Sequence, residues 1–447
     1  MEGLVLKVRC IALLCLLFLT ACTAIGPEQR EVAKRSSPAA ELLPPKPRQA
    51  EIEDPRPPAD VWERIRRQLS MHTLHNARIG AAREYYLDQP RYLELIGPRA
   101  RRYLHYLVEA VERRDMPIEI ALLPLVESAL NPFAVSYQRA AGLWQIMPST
   151  GDYLGMRRDW WFDGRLDVRD STRYALDYLE SLHADLGEDW LLALAAYNAG
   201  KARVRRAIKR NEVRGMPTDY WSLELPRETR YYVPRLVALS TLIAFDEALD
   251  IELPEVPNTP AFVAIPTDGQ IEMLRAAELA GIDLLSLRRF NPGQLQWATA
   301  PGNGEEILVP TAAGEQLRSR LRELPADQRV TWQHYRIRRG DSLIRIAKTF
   351  ATRVDLLRAV NKLDGNLIRA GDTLMIPNSE AWQQSLALAA DGSTGVKRGY
   401  TVRRGDSLYE IANRFDVTID DIIVWNDLDP ARYLQPGQAL TLYLGGG

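Results

Sequence analysis

Between Val61 and about Ala248, apolar side chains recur every three to four residues, the period of helices with one buried face. In RARRYLHYLVEAVERR (99–114) that period puts Tyr103, Tyr106, Leu107 and Ala110 on one face and the arginines elsewhere. Further helices are expected over 118–130, 171–186, 189–199 and 229–248, with long loops around 131–170 and 210–228. Residues 61–253 therefore read as an all-α domain. Beyond Pro254 the texture changes. Residues 334–377 and 400–443 are copies of one unit: Gly340-Asp341-Ser342-Leu343 matches Gly405-Asp406-Ser407-Leu408, Phe350 matches Phe415 and Asn361 matches Asn426, at a constant offset of 65. Each copy reads strand, helix, helix, strand: YRI or YTV opens, Asp and Ser cap the helix that carries Ile346, Ala347 and Phe350 in the first copy, and LMIP or LTLY closes. The two modules are set at 334–378 and 399–444, joined by a linker over 379–398. Residues 258–312 are a candidate for a degenerate third copy, since strand, paired helices, Asn-Pro and closing strand recur in order without GDSL. The fold class is thus multidomain, an all-α domain followed by small α+β (βααβ) modules.

The N-terminus has a different grammar. Lys7 and Arg9 precede the apolar run Cys10 to Leu19, which is too short, and too closely followed by polar residues, to be read as a membrane span. It has the build of a secretory signal, residues 1–21. The run ends in Leu19-Thr20-Ala21-Cys22, which resembles a bacterial lipobox and implies lipidation of Cys22; an ordinary signal peptide ending near a cysteine is the alternative. Each methylene of an acyl chain contributes ~0.8 kcal/mol in a bilayer, so several chains would tether the protein without a spanning helix. Thr23, where Asp would signal retention, implies outer-membrane delivery, facing the periplasm, in a Gram-negative host. Residues 22–60, with PPKPR and DPRPP, have the composition of an extended spacer.

Composition narrows the chemistry. At 447 residues the chain exceeds what one core supports, and 57 Lys+Arg against 58 Asp+Glu give no electrostatic reason to expect nucleic acid as a partner. All three cysteines lie within the first 22 residues, so the folded part has neither disulfide nor thiol chemistry. Five histidines without an HExxH spacing leave no metal site expected, and no cofactor.

Within this frame ALLPLVESAL (121–130) stands out, because Glu127 is its one charged side chain. Such a Glu either turns to solvent at a helix end or is held in a low-dielectric setting, where burial raises its pKa and keeps it available as a general acid near neutral pH. Pro124, three residues earlier, either positions Glu127 by breaking the local hydrogen bonding or ends a preceding helix. Asp163, Asp167, Asp170 and Glu228 are other carboxylates in range by sequence, but none has so apolar a setting, and caps and ion pairs are their expected roles.

The order Glu127-Ser128, Gly142-Leu143-Trp144-Gln145 in AAGLWQIMPSTG, Ala196-Tyr197-Asn198 in LALAAYNAG and ETRYYVP (228–234) resembles the family 1 lytic transglycosylases. With its lipobox and repeats, the whole chain is similar to their membrane-bound murein transglycosylase D group. The repeats resemble LysM modules, which bind N-acetylglucosamine-containing glycans. The resemblance implies a lysozyme-like α bundle and cleavage of the β-1,4 bond between N-acetylmuramic acid and N-acetylglucosamine, without water, to a 1,6-anhydromuramoyl end. It makes Glu127 the sole catalytic carboxylate, acid and then base, and peptidoglycan strands the partner. It also implies substrate contacts by Ser136, Gln145, Met147, Tyr197, Asn198 and Tyr232; Tyr231 is the alternative for the last. Arg139 departs from the family, which often carries a small residue there. A lysozyme-type hydrolase, normally built on two carboxylates, and a non-catalytic wall-binding lipoprotein remain as other readings.

Overall fold

The computed structural model describes residues 58–377 and 396–444, except 89–90, 137, 302–303, 331, 351, 404–405, 407, 409–410, 412–421, 423–425, 427–433 and 436. Cys22 and Phe415 fall outside the described residues.

The helical body begins with α1 (Val61–Arg66), capped by Asp60, whose carboxylate accepts the Trp62 amide at 2.7 Å. It is strapped to the far end of the body: the Val61 amide donates to Val256 O (2.8 Å) and Trp62 Nε1 to Pro254 O (2.7 Å). After α2 (Ala77–Leu87) comes the long α3 (Arg91–Glu112), which buries Tyr103, Leu107 and Ala110 of the expected face, leaves Tyr106 half-buried, and buries Leu104, Val108 and Val111 as well. The expected helix over 118–130 is a 3₁₀ turn (Ile118–Leu122) followed by α4 (Leu123–Ser128), with Pro124 at the start of α4, where its missing N–H costs nothing. Glu119 in that turn is fully buried, and its carboxylate accepts the Ser70 and Met71 amides at 2.6 Å each.

The expected loop around 131–170 contains α5 (Pro148–Tyr153). Next, α6 (Val168–Asp185) starts three residues before expectation, because Asp167 and not Asp170 is its cap, accepting the Arg169 and Asp170 amides. α7 (Trp190–Ala199) is apolar all round and its middle, Leu192 to Ala196, is buried. α8 (Lys201–Val213) runs into the region expected to be a loop from 210, burying only Val204, Ala207 and Asn211 along a highly charged sequence. α9 (Arg227–Ala244) closes the body and packs on α2, α4 and α7.

Residues beyond 258 form the βααβ unit: β1 (Phe262–Pro266), α10 (Met273–Ala280), α11 (Leu284–Phe290) and β2 (Glu306–Pro310), with Phe262 opposite Pro310 in an antiparallel pair. The chain does not stop at 312: α12 (Thr311–Glu323) folds back over β1 and α10, burying Ala313, Leu317 and Leu321. The next copy has β3 (Trp332–Arg336), α13 (Leu343–Thr349), α14 (Val354–Val360) and β4 (Thr373–Pro377); in the last, β5 (Val396–Thr401) pairs with β6 (Ala439–Leu444).

One asparagine makes the same three hydrogen bonds in each of the three units. Asn361 Nδ2 donates to Leu357 O and Met375 O (2.8 Å each) while its Oδ1 accepts the Met375 amide (2.7 Å), tying the second helix to the closing strand. Asn426 makes the same three bonds to Ile422 and Thr441, and Asn291 makes them to Leu287 and Leu308. In GDSL, Ser342 caps α13, whereas Asp341 closes the preceding turn, accepting from Tyr335 Oη and the Arg338 amide at 2.8 Å each.

The first of these units is joined to the helical body. The Asp163 amide donates to Gly293 O (2.9 Å), the Leu295 amide to Trp161 O (2.8 Å) and Tyr103 Oη to Arg289 O (2.5 Å), while Arg157 pairs with Glu305 and Arg169 with Glu306. Phe290 and Leu308 are buried in the body's own core.

Candidate active site

Glu127 sits in the last turn of α4. That helix ends abruptly because Ala129 (φ 48°) and Leu130 (φ 57°) are both left-handed, their amides returning to Leu125 O and Pro124 O. Ser128 fixes the direction of the ending: its hydroxyl lies 3.1 Å from Pro124 O and 3.0 Å from Leu143 O, pinning α4 to the loop that carries Gly142 to Gln145.

Tyr232 Oη donates to Glu127 Oε1. Glu127 keeps a partly accessible face, but protein surrounds most of the carboxyl, and this desolvation pushes its pKa up to about 7. The Tyr232 hydrogen bond acts the other way, and the nearby charge of Glu228 adds to the rise. Burial in an apolar run does not by itself set Glu127 apart, since Glu119 is more deeply buried and accepts two main-chain amides. What separates Glu127 is an accessible face combined with a single phenol partner.

Both tyrosines around it are held well above the usual phenol range, first by burial and then by the charge of Glu127, so they remain donors. Tyr197 Oη donates to Trp144 O (2.7 Å), which joins α7 to the GLWQ loop. Of the two C-terminal tyrosines, Tyr232 is 5 % exposed and reaches Glu127, whereas Tyr231 is 37 % exposed. Asn198 bridges α7 and α9, accepting from Thr229 Oγ1 at 2.8 Å, with its Nδ2 3.5 Å from Glu228 Oε1.

The GLWQ loop is a strained turn with buried anchors. Gly142 has φ 81°, and a Cβ there would lie 2.0 Å from Arg165 O, so both conformation and space demand glycine. Trp144 is fully buried, its Nε1 donating to Thr172 Oγ1 at 2.9 Å. Gln145, also left-handed (φ 46°), directs its Nε2 to Gly142 O (3.0 Å) and Ala134 O (3.2 Å). The donor end of the amide is thus engaged inside the loop, and its acceptor end is the one left for a ligand. Ser136 closes the neighbouring turn, its Oγ accepting the Ala140 amide at 3.0 Å. Met147, partly exposed, immediately precedes α5. The hydrogen bonds of Gln145 and Ser136 therefore run within the loop and not to Glu127.

Arg165 holds this loop from below, and its place is not legible in the sequence. The guanidinium is buried, binds both oxygens of Asp163 (3.1 and 2.8 Å), and donates to Arg139 O (2.7 Å) and Ile146 O (3.3 Å). Arg139 itself has φ 65°, the left-handed region in which glycine is unstrained. Of the other carboxylates, Asp163 is thus an ion-pair partner, Asp170 pairs with Arg173, and Glu228 is exposed in the first turn of α9. Asp167 has the expected role of a cap, on α6, but in a more buried setting than expected: burial pushes it up to about 6.

Comparison with known proteins places the chain in a family. The model described as Transglycosylase SLT domain matches residues 107–216, and the LysM domain model matches 335–377 and 400–442. A third, described as Lytic transglycosylase MltD, LysM-like domain, matches 261–326, the stretch that includes α12. Membrane-bound lytic murein transglycosylase D of Escherichia coli (strain K12) is 38% identical over 403 residues, covering 87% of this chain and 86% of that protein. A putative tributyltin chloride resistance protein from Alteromonas sp. (strain M-1) is 37% identical over 183 residues, covering 41% of this chain and 86% of that protein. A fold of one helical lytic domain followed by LysM units, and identity sustained over most of both chains, lead to one conclusion: the chain belongs to the membrane-bound lytic murein transglycosylase D family.

Proposed function

We propose that this chain is a peptidoglycan lytic transglycosylase in which Glu127 serves first as acid and then as base. The observation that carries the reading is the carboxyl of Glu127, desolvated to about 7, accepting from Tyr232, with an accessible face. Protonated, Glu127 delivers its proton to the glycosidic oxygen as the bond from C1 of N-acetylmuramic acid to the leaving N-acetylglucosamine breaks. Now a carboxylate, it takes the proton of the sugar's own C6 hydroxyl as O6 bonds to C1. The 1,6-anhydro ring closes, no water is consumed, and Glu127 is returned protonated. Tyr232 holds one carboxyl oxygen throughout, so the other faces the substrate. The acceptor end of Gln145, together with Ser136, Met147, Tyr197 and Asn198, lines the substrate side, and no cofactor enters.

A hydrolytic reading has one supporting feature, the charge of Glu228 within reach of Glu127. Glu228 is exposed and faces the Asn198 amide, a poorer setting for a second catalytic carboxylate.

The domain plan accompanies this activity. A leader over 1–21 ends at a lipidated Cys22, residues 22–60 span from an outer membrane to the wall, and the units at 334–378 and 399–444 hold the enzyme on its insoluble substrate. Membrane association is the trait that the family's name carries, and outer-membrane placement facing the periplasm rests on Cys22 and Thr23. Among the described residues no helix is long and apolar enough to cross a membrane.

Digestion of purified peptidoglycan with mass spectrometry of the products tests the reading. Anhydromuramoyl ends are expected from the wild type and none from Glu127→Gln; reducing muramic-acid ends, or activity retained in Glu127→Gln, would overturn it.

A further inference from the structure

Thr229, in the first turn of α9, turns its hydroxyl away from its own helix. Within a helix a threonine often returns its proton to the carbonyl one turn back, as Thr241 does to Val237 O (2.9 Å) in α9 and Thr172 to Val168 O (2.6 Å) in α6. Thr229 Oγ1 donates instead across to α7, to Asn198 Oδ1 at 2.8 Å. The threonine is buried, and its own carbonyl accepts the hydroxyl of Tyr220 at 2.9 Å, a buried phenol in the 3₁₀ turn Tyr220–Ser222. Pro226 gives α9 no side-chain cap, and Tyr220 fixes that first turn from outside the helix.

The other end of the Asn198 amide meets a different neighbour, its Nδ2 lying 3.5 Å from Glu228 Oε1. A carboxylate only accepts, so Glu228 faces the NH2 end and repels the oxygen. The hydroxyl of Thr229, which can donate or accept, donates to the oxygen that remains. Two residues adjacent in the sequence thus address the two ends of one amide and disfavour its flipped form. One N–H of Asn198 is left for a ligand, the reverse of Gln145, whose donor end is engaged within its own loop. We propose that Glu228 and Thr229 are positioning residues for Asn198: they hold its amide in one orientation, so that it meets the glycan as a hydrogen-bond donor to an acceptor oxygen of the sugar. The proposal rests on the lytic reading, in which Asn198 lines the substrate side. It gives Glu228 a task that needs no proton transfer.

The test is a double-mutant cycle in kcat/KM for the release of anhydro ends from glycan strands. Thr229→Val keeps the shape and removes the hydroxyl, which frees the amide to turn; a loss of about fivefold, the scale of one misplaced hydrogen bond, is expected, carried mainly by KM. Asn198→Ala should lose about as much, and adding Thr229→Val to it should cost nothing more, because the group that Thr229 orients is gone. Thr229→Ser, which keeps the hydroxyl, should behave as wild type. Glu228→Gln repeats the cycle from an exposed position, read below the alkaline limb so that its lost charge near Glu127 does not enter. A glutamine amide accommodates either end of Asn198, so the same loss is expected, and only while Asn198 is present. Thr229→Val costing as much beside Asn198→Ala as it does alone would overturn the positioning role, as would unchanged kcat/KM in both Thr229→Val and Glu228→Gln. Wild-type protein releasing no anhydro ends would overturn the lytic reading, and this role with it.

Discussion

In the proposed mechanism Glu127 has two tasks, and its surroundings bear on the first. Removing water from the carboxyl raises its pKa to about 7, so an appreciable protonated fraction survives at neutral pH, where an ordinary Glu would be ionised. The acid form is lost as pH rises through that value, and kcat/KM should fall there instead of near 4.5. Because the Tyr232 hydrogen bond lowers the pKa, Tyr232→Phe should move this alkaline limb to higher pH while reducing the plateau about tenfold. A pH–rate profile of both proteins measures it, and a limb that stays in place would remove Tyr232 from the account. Stability follows the same sign. A folded-state value raised above the free one means that Glu127 favours the folded state at low pH, and that this contribution is lost as pH rises through about 7.

At the scale of elements, the site is a meeting of helix ends and one turn. α4 brings Glu127, α9 brings Tyr232 and α7 brings Tyr197, while the GLWQ loop is clasped by Ser128, Tyr197 and Arg165. Gly142→Ala puts a Cβ against the Arg165 carbonyl in a left-handed residue, and should cost about 2–4 kcal/mol of stability by thermal or urea unfolding. Arg139, already left-handed, should tolerate Gly with no such loss. The long amphipathic helices were legible because their burial is periodic; α3 buries Tyr103, Leu107 and Ala110 of its expected face. α8 was not legible, since thirteen residues rich in Lys and Arg bury only Val204, Ala207 and Asn211. α5, PSTGDY, is made of poor helix formers and holds through its proline start and its neighbours. The unusual setting of Glu127 was legible in ALLPLVESAL. The anchoring roles of Arg165 and Ser128 were not, because their partners are main-chain carbonyls brought near by a turn that no periodicity encodes.

In the whole molecule, the first βααβ unit is built into the lytic body. Its Gly293 lies against the loop whose Asp163 and Arg165 support the GLWQ turn, and a Cβ at Gly293 would meet Asp167 and Phe162 at 3.0 Å. Arg157 and Arg158 lie in that loop, so trypsin should leave their bonds intact in the native protein. Gly293→Val should expose them to cleavage and lower lytic activity, although the substitution sits in another unit; protection equal to wild type would show that the contact is dispensable. The strap at the other edge extends the same dependence, since Asn258 Nδ2 donates to Pro58 O at 2.8 Å and Val61 takes Val256 as its backbone partner. For recombination between relatives, the consequence is that a crossover near residue 253 would divide α1 from the segment at Pro254 and Val256 that it bonds to, and the GLWQ loop from its buttress. The smallest piece that can be exchanged as working machinery runs from Pro58 through α12.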